Sequence, residues 1–289
     1  MRTEAEYREM INRSLEPRLR SLGAIPDRLL EAMLYSLTAG GKRLRPMLLL
    51  ASCEMAGGSA EMAMPFACAL EMIHTYSLIH DDLPGMDNDD LRRGRPTNHR
   101  VFGEGVAILA GDGLLNAAME TALKAALRIG DLRGVRAAEL LARHAGVTGM
   151  IAGQTLDVTM EGQTPTEELV FSIHAHKTAD LIEAPVEMGL TLAGCGPDLT
   201  ETGREYAHHL GIAFQIRDDL LDVIGDAAQM GKNTGMDGKK LTWVALRGAD
   251  RARKDLEEHT EMALSALKKL PWDTSFLEKM ARDNISRNT

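Results

Sequence analysis

Aromatic side chains are scarce: only 4% of the 289 residues are Phe, Trp or Tyr. Sandwiches and barrels draw heavily on aromatic and β-branched residues, so the shortage weighs against a β-rich fold. Cysteine is also sparse. Cys53, Cys68 and Cys195 are odd in number and stand in no metal-type spacing. That excludes a disulfide framework and a cysteine zinc site, and fits a reducing, cytoplasmic compartment. There is no excess of positive charge; 33 Lys and Arg face 42 Asp and Glu, for a net charge of −9. A nonspecific nucleic-acid binder needs the opposite balance. Long hydrophobic runs are missing too. The longest, around "PMLLLASC", falls far short of the roughly 20 apolar residues of a bilayer span. The N-terminal "MRTEAEYREMINRSLEPRLRSL" is charged throughout and lacks the apolar centre of a signal peptide. The expectation is a cytoplasmic chain with no integral membrane segment. The sequon at Asn284 is read as chance.

What is present favours helix. Ala, Leu, Met, Glu and Arg are abundant, and each is a good helix former. Apolar residues recur three and four apart, as in Leu30, Met33, Leu34, Leu37 and in Phe66, Leu70, Ile73, with Ser77 continuing that face. No sustained alternation marks a strand. Breaks fall at Gly57-Gly58, Pro84-Gly85, Gly130-Asp131, Gly162 to Pro165, Gly194 to Pro197, Gly225 to Gly238 and Pro271. These leave roughly ten or more helices with short connections and no linker. Asp198 and Thr200 are the N-cap candidates after Pro197. The expected fold is all-α, a single-domain bundle over residues 1–289.

Two carboxylate clusters carry the chemistry. In "HDDLPGMDNDDLRRG" (His80–Gly94), five aspartates fall within ten residues. Asp81 and Asp87 are six apart, which a straight helix would put on different faces. Pro84 and Gly85 lie between them, and a kink there would bring the two together. The second cluster is "FQIRDDLLDVIGD" (Phe214–Asp226). Asp218 and Asp222 are four apart, on one helix face a turn from each other. Asp219 lies about 100° around from Asp218. Like charges facing an interior are costly unless a cation sits between them. Carboxylates on two separate helices across a cavity suit Mg²⁺, a hard ion that keeps positions free for substrate phosphates. Basic motifs for those phosphates stand in "GGKRLRP" (Gly40–Pro46), Arg92 and Arg93, "HKT" (His176–Thr178) and "MGKNTG" (Met230–Gly235).

Each motif alone has an ordinary reading: a solvated acidic face, a glycine turn, a core histidine, a surface lysine. Their joint occurrence in one helical chain points to a site. Other chemistries fail on spacing. Five residues separate Gly225 from Gly231, Asn233 stands where a P-loop needs Ser or Thr, and no strand precedes them. "GEG" at Gly103–Gly105 lacks the third glycine of a dinucleotide loop. There is neither an HExxH zinc site nor a GxSxG elbow.

With "GGKRLRP", "EMIHTYSLIHDDLPGMDNDDLRRGRPTNH", "AILAGDGLL", "GQTLD" (Gly153–Asp157), "HKT", "FQIRDDLLDV" and "GKNTGMD", the chain resembles the trans-isoprenyl (polyprenyl) diphosphate synthase family nearly end to end. The resemblance implies an all-α bundle around a deep cavity, usually a homodimer. It implies Mg²⁺, three ions per site with substrate bound, held by Asp81, Asp87 and Asp218 with Asp82 and Asp222 assisting. Arg92, Lys177 and Lys232 would hold an allylic diphosphate. Lys42, Arg45, His74 and Arg93 would hold the diphosphate of isopentenyl diphosphate. Thr178 and Gln215 would lie near the reacting carbons. Tyr76 and Ser77, five and four residues before Asp81, would set product length. An aromatic at the earlier place with this longer aspartate motif is most like bacterial farnesyl diphosphate synthases, so a C15 product is expected. Geranylgeranyl diphosphate (C20) is the first alternative; a class I terpene cyclase, a head-to-head coupling enzyme or a non-catalytic member are others. Three departures from the family pattern stand out: Asn88 in place of an aspartate, a short "GMDGKKLTWV" with Trp243-Val244 where Tyr-Pro is frequent, and a lone Arg287 near the C-terminus.

Overall fold

A computed structural model describes residues 2–160, 162–164, 166–224 and 241–286. Among them the chain is helical almost throughout. α1 (Glu4–Arg20), α2 (Asp27–Leu37), α3 (Leu44–Met55) and α4 (Ala60–Asp81) lead to a two-residue ribbon, β1 (Leu91–Arg92) paired with β2 (Arg95–Pro96). There follow α5 (Asn98–Phe102), α6 (Glu104–Ile129), α7 (Leu132–Ala145), α8 (Met150–Thr159) and α9 (Glu167–Ile173). A π-helical turn, His174–Ala179, runs straight into α10 (Asp180–Ala193); then come α11 (Pro197–Ile224), α12 (Trp243–Arg247), α13 (Ala249–Leu267) and α14 (Ser275–Ser286). The all-α expectation holds. The small ribbon was not foreseen; it is too short to show alternation.

α4 is apolar on nearly every side and buried on nearly every side, as a central helix must be. It packs between α3 and α6, while α10 lies against α3, α7 and α11. Ser59 caps its start by accepting from the Met62 N–H. The inner face of α6 is small: Ala107, Ala110, Gly111, Ala118 and Ala122 let it approach α4 closely. A Cβ at Gly111 would lie 2.1 Å from His80 Nε2. By length and composition α4 and α6 could each cross a bilayer, although 78% of the apolar window of α4 is buried inside the bundle. The sequence reading looked for unbroken apolar runs and passed over both. A second, smaller core forms where α9, α11, α12 and α13 meet, around Ile212, Ile216, Trp243 and Leu256.

α11 begins at Pro197 itself, so Asp198 and Thr200 lie inside the first turn and are not N-caps. Proline is pre-set for that first position, where its missing N–H has no partner to lose. Asn284 is buried, consistent with a sequon arising by chance.

Arg43, read only as part of a basic motif, is structural. It is buried with φ +54°. Its guanidinium pairs with the buried Glu71 carboxylate of α4, donates to Leu37 O at 2.9 Å, and its Nε donates to Asn12 Oδ1 at 2.9 Å. One side chain thus joins α1, α2 and α4. Arg43→Ala leaves Glu71 buried and unpaired, and is expected to cost about 3–5 kcal/mol in urea unfolding. An unchanged midpoint would contradict this role.

His209 of α11 and His259 of α13 meet Nδ1 to Nδ1 at 3.1 Å. Burial, reinforced by His209, holds His259 down to about 4. A histidine kept neutral in the fold takes up its proton more readily in the unfolded chain. Its cost is absent above the ordinary value of about 6.5 and grows as pH falls toward about 4. His259→Gln is therefore expected to lose less melting temperature than the parent chain over that window; parallel pH profiles would refute it.

Candidate active site

Asp81 ends α4, and the chain turns back on itself at once. Asp87 N–H donates to Asp81 O at 2.8 Å, Met86 N–H to Leu83 O at 2.9 Å and Asn88 N–H to Leu83 O at 3.1 Å. Pro84 and Gly85 sit at the tip, and Asn88 takes φ +53°, a conformation asparagine tolerates better than most residues. The break so folded joins Asp87 to Asp81, as its sequence suggested. Burial raises the Asp81 carboxyl to about 6, with nearby Lys177 opposing and Asp87 adding to the rise.

The neighbouring aspartates divide. Asp82 is buried and bound to Arg92 through Nε at 2.7 Å and Nη2 at 2.6 Å. Burial raises it to about 6 in spite of that arginine. Arg92 also reaches Asp89 at 3.4 Å, and Asp90 pairs with Arg100 at 3.1 Å. The repulsion within the cluster is therefore spread over two arginines, one of them beyond the motif.

Asp218 and Asp222 of the second cluster are half-buried on α11. Burial draws the Arg45 guanidinium down to about 10, opposed by Glu71 and then by Asp218, which is near enough to act on it. Arg45 Nη1 lies 3.5 Å from His74 Nε2. Burial first, then Arg45, hold His74 well below its ordinary value, so it is a neutral ring at physiological pH. Arg45 Nε is buried without a hydrogen-bond partner, a donor that an anion would satisfy. Arg93 folds against the glycine loop, donating to Gly40 O.

The π-helical turn delivers Lys177 and Thr178. Such turns are rare and recur at functional sites because the extra residue re-aims its neighbours. Two glycines let other helices meet its backbone: a Cβ at Gly153 of α8 would lie 2.1 Å from Lys177 N, and one at Gly211 of α11 would lie 2.5 Å from Ala179 Cα. Lys177 Nζ bonds Asp157 Oδ2 at 2.5 Å. Thr178 Oγ1 donates to Gln215 Oε1 at 2.7 Å, and Gln215 Nε2 donates to Asp219 Oδ1 at 3.0 Å. Asp219 is buried and also accepts from Trp243 N–H at 2.6 Å. It thereby ties the second aspartate motif to the start of α12. Trp243 stacks on His174 and donates its indole N–H to Asp255 at 2.7 Å.

Beside Asp81 opens a cavity of about 590 Å³ with mostly apolar walls. Arg45, His74, Asp81, Lys177 and Thr178 stand on it, as do Tyr76 and Ser77. Leu70 and Ile73, about two turns and one turn before Ser77 on α4, are packed in the main core. Sequence reasoning gave no role to Gln154 and Asp157. Gln154 lines the cavity, and its Nε2 donates to Asp81 Oδ1 at 2.8 Å while its Oε1 stays buried and unpartnered. Their three-residue spacing in "GQTLD" was the available signal. Lys42 does not line this cavity; it stands on a second cleft with Phe214 and Met280. Lys232, Asp237, Lys240 and Arg287 lie outside the described residues.

An apolar chamber lined by Asp81, Arg45 and Lys177, with Asp218 close enough to Arg45 to act on its charge, is fitted to an amphiphile that has an anionic head and a hydrocarbon tail. The chain belongs to the polyprenyl synthetase family, whose family model matches residues 26–271. It is 48% identical over 255 residues to a farnesyl diphosphate synthase of Geobacillus stearothermophilus, covering 87% of this chain and 86% of that one. It is 47% identical over 262 residues to the chloroplastic heterodimeric geranylgeranyl pyrophosphate synthase large subunit 1 of Arabidopsis thaliana, covering 86% and 69%. Among solved structures, a Helicobacter pylori geranyltransferase complexed with magnesium and isoprenyl diphosphate superposes with a TM-score of 0.84 at 31% identity, over 99% of this chain and 97% of that one. The protein is thus an enzyme, a prenyltransferase, with relatives that make either of two product lengths.

Proposed function

We propose that the enzyme condenses isopentenyl diphosphate head-to-tail with dimethylallyl or geranyl diphosphate and releases farnesyl diphosphate. The observation that carries this reading is the cavity: charged groups ring its mouth, and Tyr76 stands on its wall beside the aspartates. The domain is taken as one unit over the whole chain.

The donor set fits Mg²⁺. Asp81 and Asp87 on one side and Asp218 on the other offer hard oxygens and no nitrogen or sulfur. Gln154 fixes the orientation of Asp81, and Asp222 stands a turn beyond Asp218. Asp82 assists indirectly, by holding Arg92. Three ions, when bound, would neutralise the diphosphate as it leaves the allylic carbon. Lys177, Arg92 and Lys232 hold that diphosphate. Arg45, Arg93 and the neutral His74 hold the diphosphate of isopentenyl diphosphate, with Lys42 reaching it from the adjoining cleft. Groups that bind the departing diphosphate more strongly than the intact ester lower the barrier selectively. Thr178 and Gln215 turn their bonded oxygens toward the allylic cation, and the apolar walls keep water from it. The homoallylic double bond attacks the cation and a proton is then lost, with the released diphosphate as its acceptor.

A C20 product is the second reading. Ser77, small and facing the same cavity, leaves room beside Tyr76, and the Arabidopsis relative carries a geranylgeranyl name. We take the enzyme as a homodimer. Leu109, Leu123 and Leu127 of α6 with Leu132 and Val135 of α7 are exposed, and an apolar face of this kind suits a second copy.

Binding of a non-ionisable allylic diphosphate analogue tests the head-group assignment. Titration is expected to give tight binding with Mg²⁺ and a loss of at least about 100-fold in its absence. Equal affinity without the metal would overturn it.

A further inference from the structure

A second cluster of ligating groups lies where α7 meets α10, the helix that continues the π-helical turn. α10 presents Asp180, Glu183 and Glu187 along one face, three and four residues apart. The last turn of α7 brings His144 against them. His144, Glu183 and Glu187 are all buried, and one ligand atom from each lies within 4.8 Å of the others. Burying two carboxylates about one imidazole, with Asp180 half-buried beside them, is costly without compensating cations.

The geometry points to a divalent transition-metal site, of the Zn²⁺ or Co²⁺ type, formed by His144 Nε2 and the carboxylates of Glu183 and Glu187. Three observations carry it. His144 Nδ1 is bonded to Asp180 Oδ1 at 2.8 Å. A metal-binding imidazole is commonly oriented in this way, by a carboxylate at its other nitrogen. That bond also sets the ring so that Nε2 faces the two glutamates. Nε2 and Glu187 Oε1 are 3.1 Å apart. Ligand bonds of about 2.0–2.1 Å place neighbouring donor atoms about 3.0–3.4 Å from one another, so little movement is needed. Finally, the arginines on these carboxylates make long contacts from the rim: Arg143 to Glu187 at 3.2 Å and Arg204 to Glu183 at 3.4 Å, with side chains 45% and 37% exposed. They can swing into solvent and open a path for an ion. His208 Nδ1, 2.8 Å from Glu183 Oε1, fixes the second carboxylate. The nitrogen donor separates this site from the all-oxygen aspartate clusters. Its ion would clamp α7 to α10, the helix that continues the turn carrying Lys177. The competing occupant is a proton on Nε2.

The test uses metal-stripped protein, no substrate and Co²⁺ alone. The full chain is expected to bind one more equivalent than His144→Gln or Glu187→Gln, and that equivalent should show the visible absorption of nitrogen-ligated Co²⁺. Crystals of the unmodified protein soaked in Zn²⁺ provide a test independent of either variant's folding. Anomalous density between His144 and the two glutamates would support the site. Equal stoichiometry in the variants, density at the aspartate clusters alone, or no bound ion would overturn it.

Discussion

Replacing Asp81 or Asp218 by alanine lowers turnover by about a thousand-fold or more, while the fold survives. In the proposed reaction each would supply carboxylate oxygens to the ions that hold the diphosphate, and an ion misplaced there would forfeit several kcal/mol of transition-state stabilisation, with about 1.4 kcal/mol for every tenfold. Stability should move the other way at Asp81. Burial has raised its carboxyl to about 6, so at neutral pH the fold carries an ionised group it disfavours. That burden is absent at a pH below the unfolded value of about 4 and full above about 6. Asp81→Asn is therefore expected to keep or raise the melting temperature at neutral pH while activity collapses. A variant that is both active and unchanged in stability would remove Asp81 from the site.

Tyr76→Ala is expected to shift the proposed C15 product to C20 and longer. Tyr76 is only 6% exposed, stands on the cavity wall and has a hydroxyl with no partner among the described residues. An ordinary packing tyrosine would bond that hydroxyl. Its ring rests edge-on against His80 at 5.8 Å, and removing it frees a volume comparable to one isopentenyl unit. Chromatography of the products from geranyl and isopentenyl diphosphates reads the result. An unaltered C15 product would show that the floor lies elsewhere.

Local chemistry was legible in the sequence where local chemistry decides the outcome. Helical periodicity gave the fold, and the Pro84-Gly85 break explained how Asp81 and Asp87 could meet. Geometry set by distant elements was not legible. Nothing in "DDLPGMDNDDLRRG" says that Arg92 spends itself on Asp82, or that Arg43 is structural while Arg45, two residues on, faces the site. Simple periodicity turned Tyr76 away from Asp81, yet both Tyr76 and Ser77 reach the cavity, because a helix buried all round offers side chains to every neighbour. The π-helical turn depends on glycines from two other helices, a tertiary condition no local pattern carries. Lys42 falls on a separate cleft because Arg43, buried and in the left-handed region, parts it from Arg45.

Incubating the purified protein with Mg²⁺, labelled isopentenyl diphosphate and geranyl diphosphate tests the account most directly. A metal-dependent, farnesyl-length product as the main species is predicted. Absence of condensation under any divalent ion would contradict the assignment of both aspartate clusters to prenyl transfer.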